Sequence, residues 1–102
     1  MSVLSMATCQ ALKDFGFDQT LVEGDRVYQG ALEEALLVVN PEGTMEAQGD
    51  AYLRCPSADT LMDAVAADSM VKEGDTWYAR KGAVEGSGVS REEAAAALVM
   101  AL

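Results

Sequence analysis

"MVKEGDTWYARKG", Met70–Gly82, sets a glycine-centred acidic turn between two short β-prone runs. Trp77 and Tyr78 suit a pleated, half-buried surface, and glycine supplies the backbone freedom that a tight reversal needs. The segment predicts a β-hairpin turning at Glu73-Gly74-Asp75. Adjacent strand residues point to opposite faces, so one of Trp77 and Tyr78 is expected in the core and the other at the surface. "TLVEGDRVYQG", Thr20–Gly30, carries the same Glu-Gly-Asp-x-x-Tyr phrase and predicts a second hairpin at Glu23-Gly24-Asp25, with Val27 and Tyr28 as strand residues. Both central glycines are expected at positive φ.

The likeness extends outward from the two turns. Glu23, Gly24, Asp25 and Tyr28 precede Glu73, Gly74, Asp75 and Tyr78 by fifty residues, as Asp18 precedes Asp68. Leu12 and Asp14 match Leu61 and Asp63 at an offset of forty-nine, and Gly30, Ala31 and Glu33 match Gly82, Ala83 and Glu85 at fifty-two. Two explanations stand side by side. The chain is built from degenerate helix–hairpin repeats over residues 1–50 and 51–102, or ordinary turn chemistry recurs by chance.

Three helices flank the hairpins. Ala58, Leu61, Met62, Val65 and Ala66 fall on one helical stripe behind Ser57, a good N-cap, with Asp59 favourably placed in the first turn. This predicts a helix over about 57–67. "SREEAAAALVMAL", from Ser90, opens with capping-box spacing between Ser90 and Glu93 and continues with strong helix formers. Its nearly all-round apolarity predicts burial, or packing against a second chain. Met6, Cys9, Leu12 and Phe15 predict a helix from about 5 to 15, stopped at Gly16. "ALLVVN" at 35–40 reads as a strand ending in an Asn-Pro-Glu-Gly turn, and "TMEAQGDAYLR" as a returning strand broken at Gly49. "KGAVEGSGVS", 81–90, reads as a glycine-rich loop. The expected fold is a small single α+β domain over 1–102, with a mostly antiparallel sheet and about three helices.

Charge bounds the function. Seventeen acidic residues face seven basic ones with no histidine, a net charge of −10. Residues 1–50 carry −7 of this and residues 51–102 carry −3. Such a surface keeps a protein soluble and repels nucleic acid and anionic membrane. It also suits a basic partner, with carboxylates standing where phosphates would sit. The two cysteines, Cys9 and Cys55, form no Cys-x-x-Cys motif. Cys9 on its helix reads as a core residue rather than a nucleophile. No signal peptide and no run near membrane-spanning length is visible, which makes a cytoplasmic protein with reduced thiols the expectation.

The absence of histidine removes the common triads and the commonest metal ligand. Ser69-x-x-Lys72 has acylase spacing but lies in an expected strand without companion motifs. Glycines 82, 86 and 88, flanked by Arg80, Lys81 and Arg91, resemble an anion loop without P-loop or dinucleotide spacing. The acidic turns lack EF-hand spacing. No catalytic residue, cofactor or metal is therefore expected. The expected function is non-catalytic binding of a protein partner, in the form of an inhibitor or adaptor that occupies a basic, nucleic-acid-binding site. The analogy is to small inhibitors of phages and mobile elements. Glu23, Asp25, Tyr28, Glu33, Glu34, Glu73, Asp75, Trp77 and Tyr78 are the candidate interaction residues. Two alternatives are a small-molecule or anion-sensing module near Arg80 and Lys81, and a subunit that forms a homodimer through its C-terminal helix.

Overall fold

A computed structural model describes residues 4–29, 34–49 and 51–102. Among them are four helices and two three-stranded antiparallel sheets, an α+β fold. The chain divides into two compact units at Pro56–Ser57, beyond the repeat boundary expected at residue 50.

The N-terminal unit opens with α1, Met6–Phe15. The Ser5 side chain accepts the Thr8 N–H and caps the helix, and Gly16 ends it in the left-handed region. Strands β1 (Arg26–Gln29), β2 (Leu36–Leu37) and β3 (Tyr52–Cys55) form a sheet in the order β2-β1-β3. Arg26 pairs with Leu37 and Cys55, and Val27 with Leu36 and Arg54. The two faces of this sheet are filled differently. Val27, Leu36 and Tyr52 pack with Leu21, Val38 and Met45 on one side. Tyr28 and Cys55 face α1 on the other, where the Tyr28 hydroxyl donates to the Leu4 carbonyl at 2.6 Å.

Two expectations for this unit need correction. The first is the hairpin at 20–30. The Asp25 N–H donates to the Val22 carbonyl at 3.1 Å, with Gly24 at φ 95°, which makes a type II turn. Among the described residues no strand precedes that turn. The place beside β1 is taken by β3, and the approach segment is held by the Arg54 side chain instead. Arg54 Nε donates to Asp25 at 2.8 Å and its Nη1 to the Asp18 carbonyl at 3.0 Å. The second correction concerns Asn-Pro-Glu-Gly. Asn40 is an N-cap, Pro41 starts helix α2 (Pro41–Gln48), and Gly49 caps its end rather than breaking a strand. Pro41 suits a first helical position, where no backbone donor is needed.

The C-terminal unit contains α3 (Ala58–Val65), β4 (Ser69–Glu73), β5 (Thr76–Lys81), β6 (Val84–Gly88) and α4 (Arg91–Ala101), with the strands in sequential order. Here the hairpin forms as the sequence predicts. Glu73 pairs with Thr76 across Gly74 and Asp75, and Gly74 is at φ 61° while Asp75 is not positive. That is the type II′ pattern with glycine first, which matches strand twist. The stretch 81–90 is not a loop: β6 runs through it and pairs with β5 from Lys81–Val84 to Trp77–Gly88. Its glycines admit α4. A Cβ on Gly86 would lie 2.2 Å from the Leu98 nitrogen, and one on Gly88 would lie 2.8 Å from the Ala94 nitrogen. The core joins Ala79, Ala94 and Leu98, with Val65, Met70, Trp77 and Val84 against them.

With β1 set on β5, α1 corresponds to α3, β2 to β6 and α2 to α4, and the caps Asn40 and Ser90 lie fifty residues apart. The units differ in the strand that completes the sheet. It comes before the central strand in the C-terminal unit, as β4, and after α2 in the N-terminal unit, as β3.

Candidate interaction surface

The sheet of the C-terminal unit has one face against its helices and one open. Ala79, Trp77 and Met70 lie on the helix side. Lys72, opposite Trp77 in the β4–β5 register, lies over the indole at 5.8 Å. Tyr78 points the other way and is only half-buried. It sits between Val71 on β4 and Ser87 on β6. In the next row Arg80 is opposite Glu85, and the guanidinium donates to that carboxylate at 2.5 Å while lying 5.7 Å from the Tyr78 ring. The hydrogen bond and charge of Glu85, with a further contribution from Glu73, raise the Arg80 pKa above its ordinary value. Glu73 and Asp75 stand exposed at the turn end of this face.

The nine candidate residues are thus not one surface. Glu73, Asp75 and Tyr78 share the open face and its turn, whereas Trp77 packs toward α4. Glu23 and Glu34 are exposed on the N-terminal unit. Glu33 lies outside the described residues. Asp25 and Tyr28 are buried, at 5% and 6% exposure, and correct the reading that put them at the surface. Asp25 closes its own turn by accepting the Val22 N–H at 3.1 Å and pairs with Arg54. The internal register makes the burial of Tyr28 intelligible: in the N-terminal unit a helix covers the face that no helix of its own unit covers in the other. Val71, Arg80, Glu85 and Ser87 were missed as neighbours of Tyr78. Alternation along the hairpin was signal enough for Val71 and Arg80, but Glu85 and Ser87 require β6, which its glycines disguise.

Cations are largely engaged within the fold. Arg54 is buried against Asp25, and Lys13 donates to the Tyr52 carbonyl at 3.2 Å. Lys81 donates to the Val65 carbonyl, Arg80 pairs with Glu85, and Arg91 reaches Asp59 at 3.4 Å. Up to Pro56 there are nine carboxylates and three cations; with Asp25 and Arg54 withdrawn, eight carboxylates face Lys13 and Arg26. On α2, Glu42 and Glu46 are exposed one turn apart with no base in the helix. The apolar residues of α4 are likewise used internally, since Ala94, Ala95, Ala96, Leu98 and Val99 are all buried.

Other chemistry finds little to stand on. Cys9 and Cys55 are both free and buried. Among the described residues no group of three or more Cys, Asp or Glu side chains is placed to hold a metal ion, and no helix is long and apolar enough to cross a membrane. An open groove of about 560 Å³ lies beside α1, lined by Met6, Ala7, Gln10, Lys13, Tyr28, Ala51 and Leu53. It contains no pair of groups arranged for acid–base or nucleophilic work. No family model, curated protein or solved structure matches the chain.

Proposed function

We propose that the protein is a non-catalytic binder that acts by protein–protein contact and occupies a basic surface on its partner, of the kind that nucleic acid would otherwise fill. The observation that carries this reading is the disposition of charge. Five of the seven cations are drawn into ion pairs or backbone contacts, and Arg54 leaves the surface altogether, while Glu23, Glu34, Glu42, Glu46, Glu73 and Asp75 remain exposed. A protein of net charge −10 arranged in this way presents a field that steers a cationic partner toward it. Reversible inhibition or adaptor activity follows from occupancy alone and needs no catalytic group.

The test is affinity capture from the source cell, followed by displacement of a labelled oligonucleotide from whatever is captured. The expected partner is a basic nucleic-acid-binding protein that is retained at low salt, released at roughly 0.5 M salt, and stripped of its oligonucleotide by the acidic protein. A partner that keeps its oligonucleotide at saturating acidic protein, or the absence of any salt-sensitive partner, refutes the proposal.

A further inference from the structure

We infer that the open face of the β4–β5–β6 sheet is a docking site for an amphipathic helix with basic flanks, contributed by a partner protein. The inference rests on the binding reading above and gives it a location and a ligand class.

The argument starts from the two sheets. In the N-terminal unit the helices lie on opposite faces: α1 covers the side of Tyr28 and Cys55, and α2 reaches the other side through Met45. Tyr28 is closed over there, its hydroxyl on the Leu4 carbonyl at the start of the helix. In the C-terminal unit both helices serve one face. The backbone of α4 lies on Gly86 and Gly88, and Val65 at the end of α3 joins the same core. Tyr78, fifty residues after Tyr28 and at the same place in the central strand, therefore has no helix of its own unit over it. Val71, Tyr78 and Ser87 form one row across the three strands, at the width of a single helix stripe. In the N-terminal unit the corresponding position is filled by α1.

Charge selects the helix. Around Tyr78 stand Glu73, Asp75 and Glu85, against one cation, Arg80, whose guanidinium is already held by Glu85 and the tyrosine ring. An incoming helix with Lys or Arg beside an apolar stripe meets the carboxylates of Glu73 and Asp75 at the turn end, while an acidic helix meets repulsion there. A second copy of this chain brings another −10 and fits poorly. Tyrosine and arginine, here Tyr78 and Arg80, are also residue types enriched among the anchors of interfaces.

The experiment uses the full chain, isotopically labelled, with two side-chain-stapled helical peptides of roughly 18 residues. Both carry the same Leu/Phe stripe; one has Lys and Arg on its remaining faces and the other has Glu. The basic peptide should shift the resonances of Val71, Tyr78 and Ser87 and bind at least about tenfold tighter than the acidic one. Tyr78→Ala should weaken it by a further factor of about ten. Glu73→Lys, at the rim and outside the core, should weaken it without disturbing the spectrum of the helix side. The inference is overturned by any of four results: no binding at about 1 mM peptide, equal binding of both peptides, shifts confined to residues 4–56, or self-association through this face. Failure here leaves capture of a basic partner standing, whereas docking without any captured nucleic-acid-binding partner removes the nucleic-acid-site reading alone.

Discussion

Gly86 is where one added methyl group should have the largest effect on the fold. Its backbone lies against α4, so a Cβ there would meet the Leu98 nitrogen at 2.2 Å, the Ala97 carbonyl carbon at 2.7 Å and the Ala94 oxygen at 2.7 Å. These are backbone atoms in a helix and cannot rotate aside. Ordinary contact begins near 3.4 Å, so the helix must retreat by about 1.2 Å. A gap of that size forfeits a large part of the dispersion contact along Ala94, Leu98 and Val99, all buried now. Gly86→Ala should therefore sit at the severe end of overpacking, about 3 kcal/mol. For a small domain that corresponds to a fall in Tm of roughly 12–24 °C.

Chemical denaturation followed by Trp77 fluorescence reports this directly, because the indole packs in the affected core. Ser87→Ala is the matched control, one residue along β6 but exposed and on the other face, and should change stability by less than about 0.5 kcal/mol. If Gly86→Ala were as stable as the native chain, α4 does not rest on β6, and the claim that both helices serve one face of that sheet falls with it.

Two further substitutions test the N-terminal unit. Arg54→Ala leaves the Asp25 carboxylate buried without its cation and should cost about 3–5 kcal/mol, while Asp25→Asn combined with Arg54→Met should recover much of the loss; a single-variant cost under about 1 kcal/mol in urea denaturation refutes the buried pair. Asp18 has a lowered pKa, first through the Thr20 N–H at 2.9 Å and then through the Thr20 hydroxyl. A carboxyl whose folded pKa lies below its unfolded value of 3.8 stabilises above that pH and loses the contribution as pH falls through the folded value. The stability advantage of the native chain over Asp18→Ala should thus shrink from about pH 4 downward, and a constant difference between about pH 7 and pH 3 contradicts this.

Much of the local structure was legible because its signals are short-range. Ser57 and Ser90 each place a hydroxyl oxygen on a backbone N–H three residues on, as their sequence context implies. The hairpin at Gly74 follows from the same kind of local chemistry. The failures arise where a long-range partner decides. Nothing near Glu23-Gly24-Asp25 announces that Arg54, twenty-nine residues beyond Asp25, will take the carboxylate and hold the preceding segment out of the sheet. Helix α2 buries no residue fully, so it lacks the apolar stripe that betrays a helix, and only its cap gives it away. The glycines of β6 look like a loop because the reason for them, the backbone of α4, lies elsewhere in the chain. The surface was legible only as a composition. That acids outnumber bases is visible at once, but which bases are withdrawn depends on contacts such as Lys81 to Val65 and Arg54 to Asp25.

The phrase shared by the two halves has opposite consequences in them. Glycine is the third residue of a type II turn in one and the second of a type II′ turn in the other. The change of turn accompanies a change in whether the preceding segment pairs with the central strand. Where it pairs, as β4, the sheet is complete within three consecutive strands and both helices gather on one side. Where it does not, β3 completes the sheet beside the central strand, the preceding helix covers the other face, and the tyrosine is buried under it. Asp25 and Asp75 follow the same division, one consumed by an internal cation and the other left in solvent. Among the described residues, only the unit with the true hairpin keeps a tyrosine, a valine and unneutralised carboxylates together on a sheet face that no helix of its own unit covers. Exposed carboxylates are therefore joined there to a tyrosine and a valine, the combination that the proposed docking of a basic amphipathic helix requires.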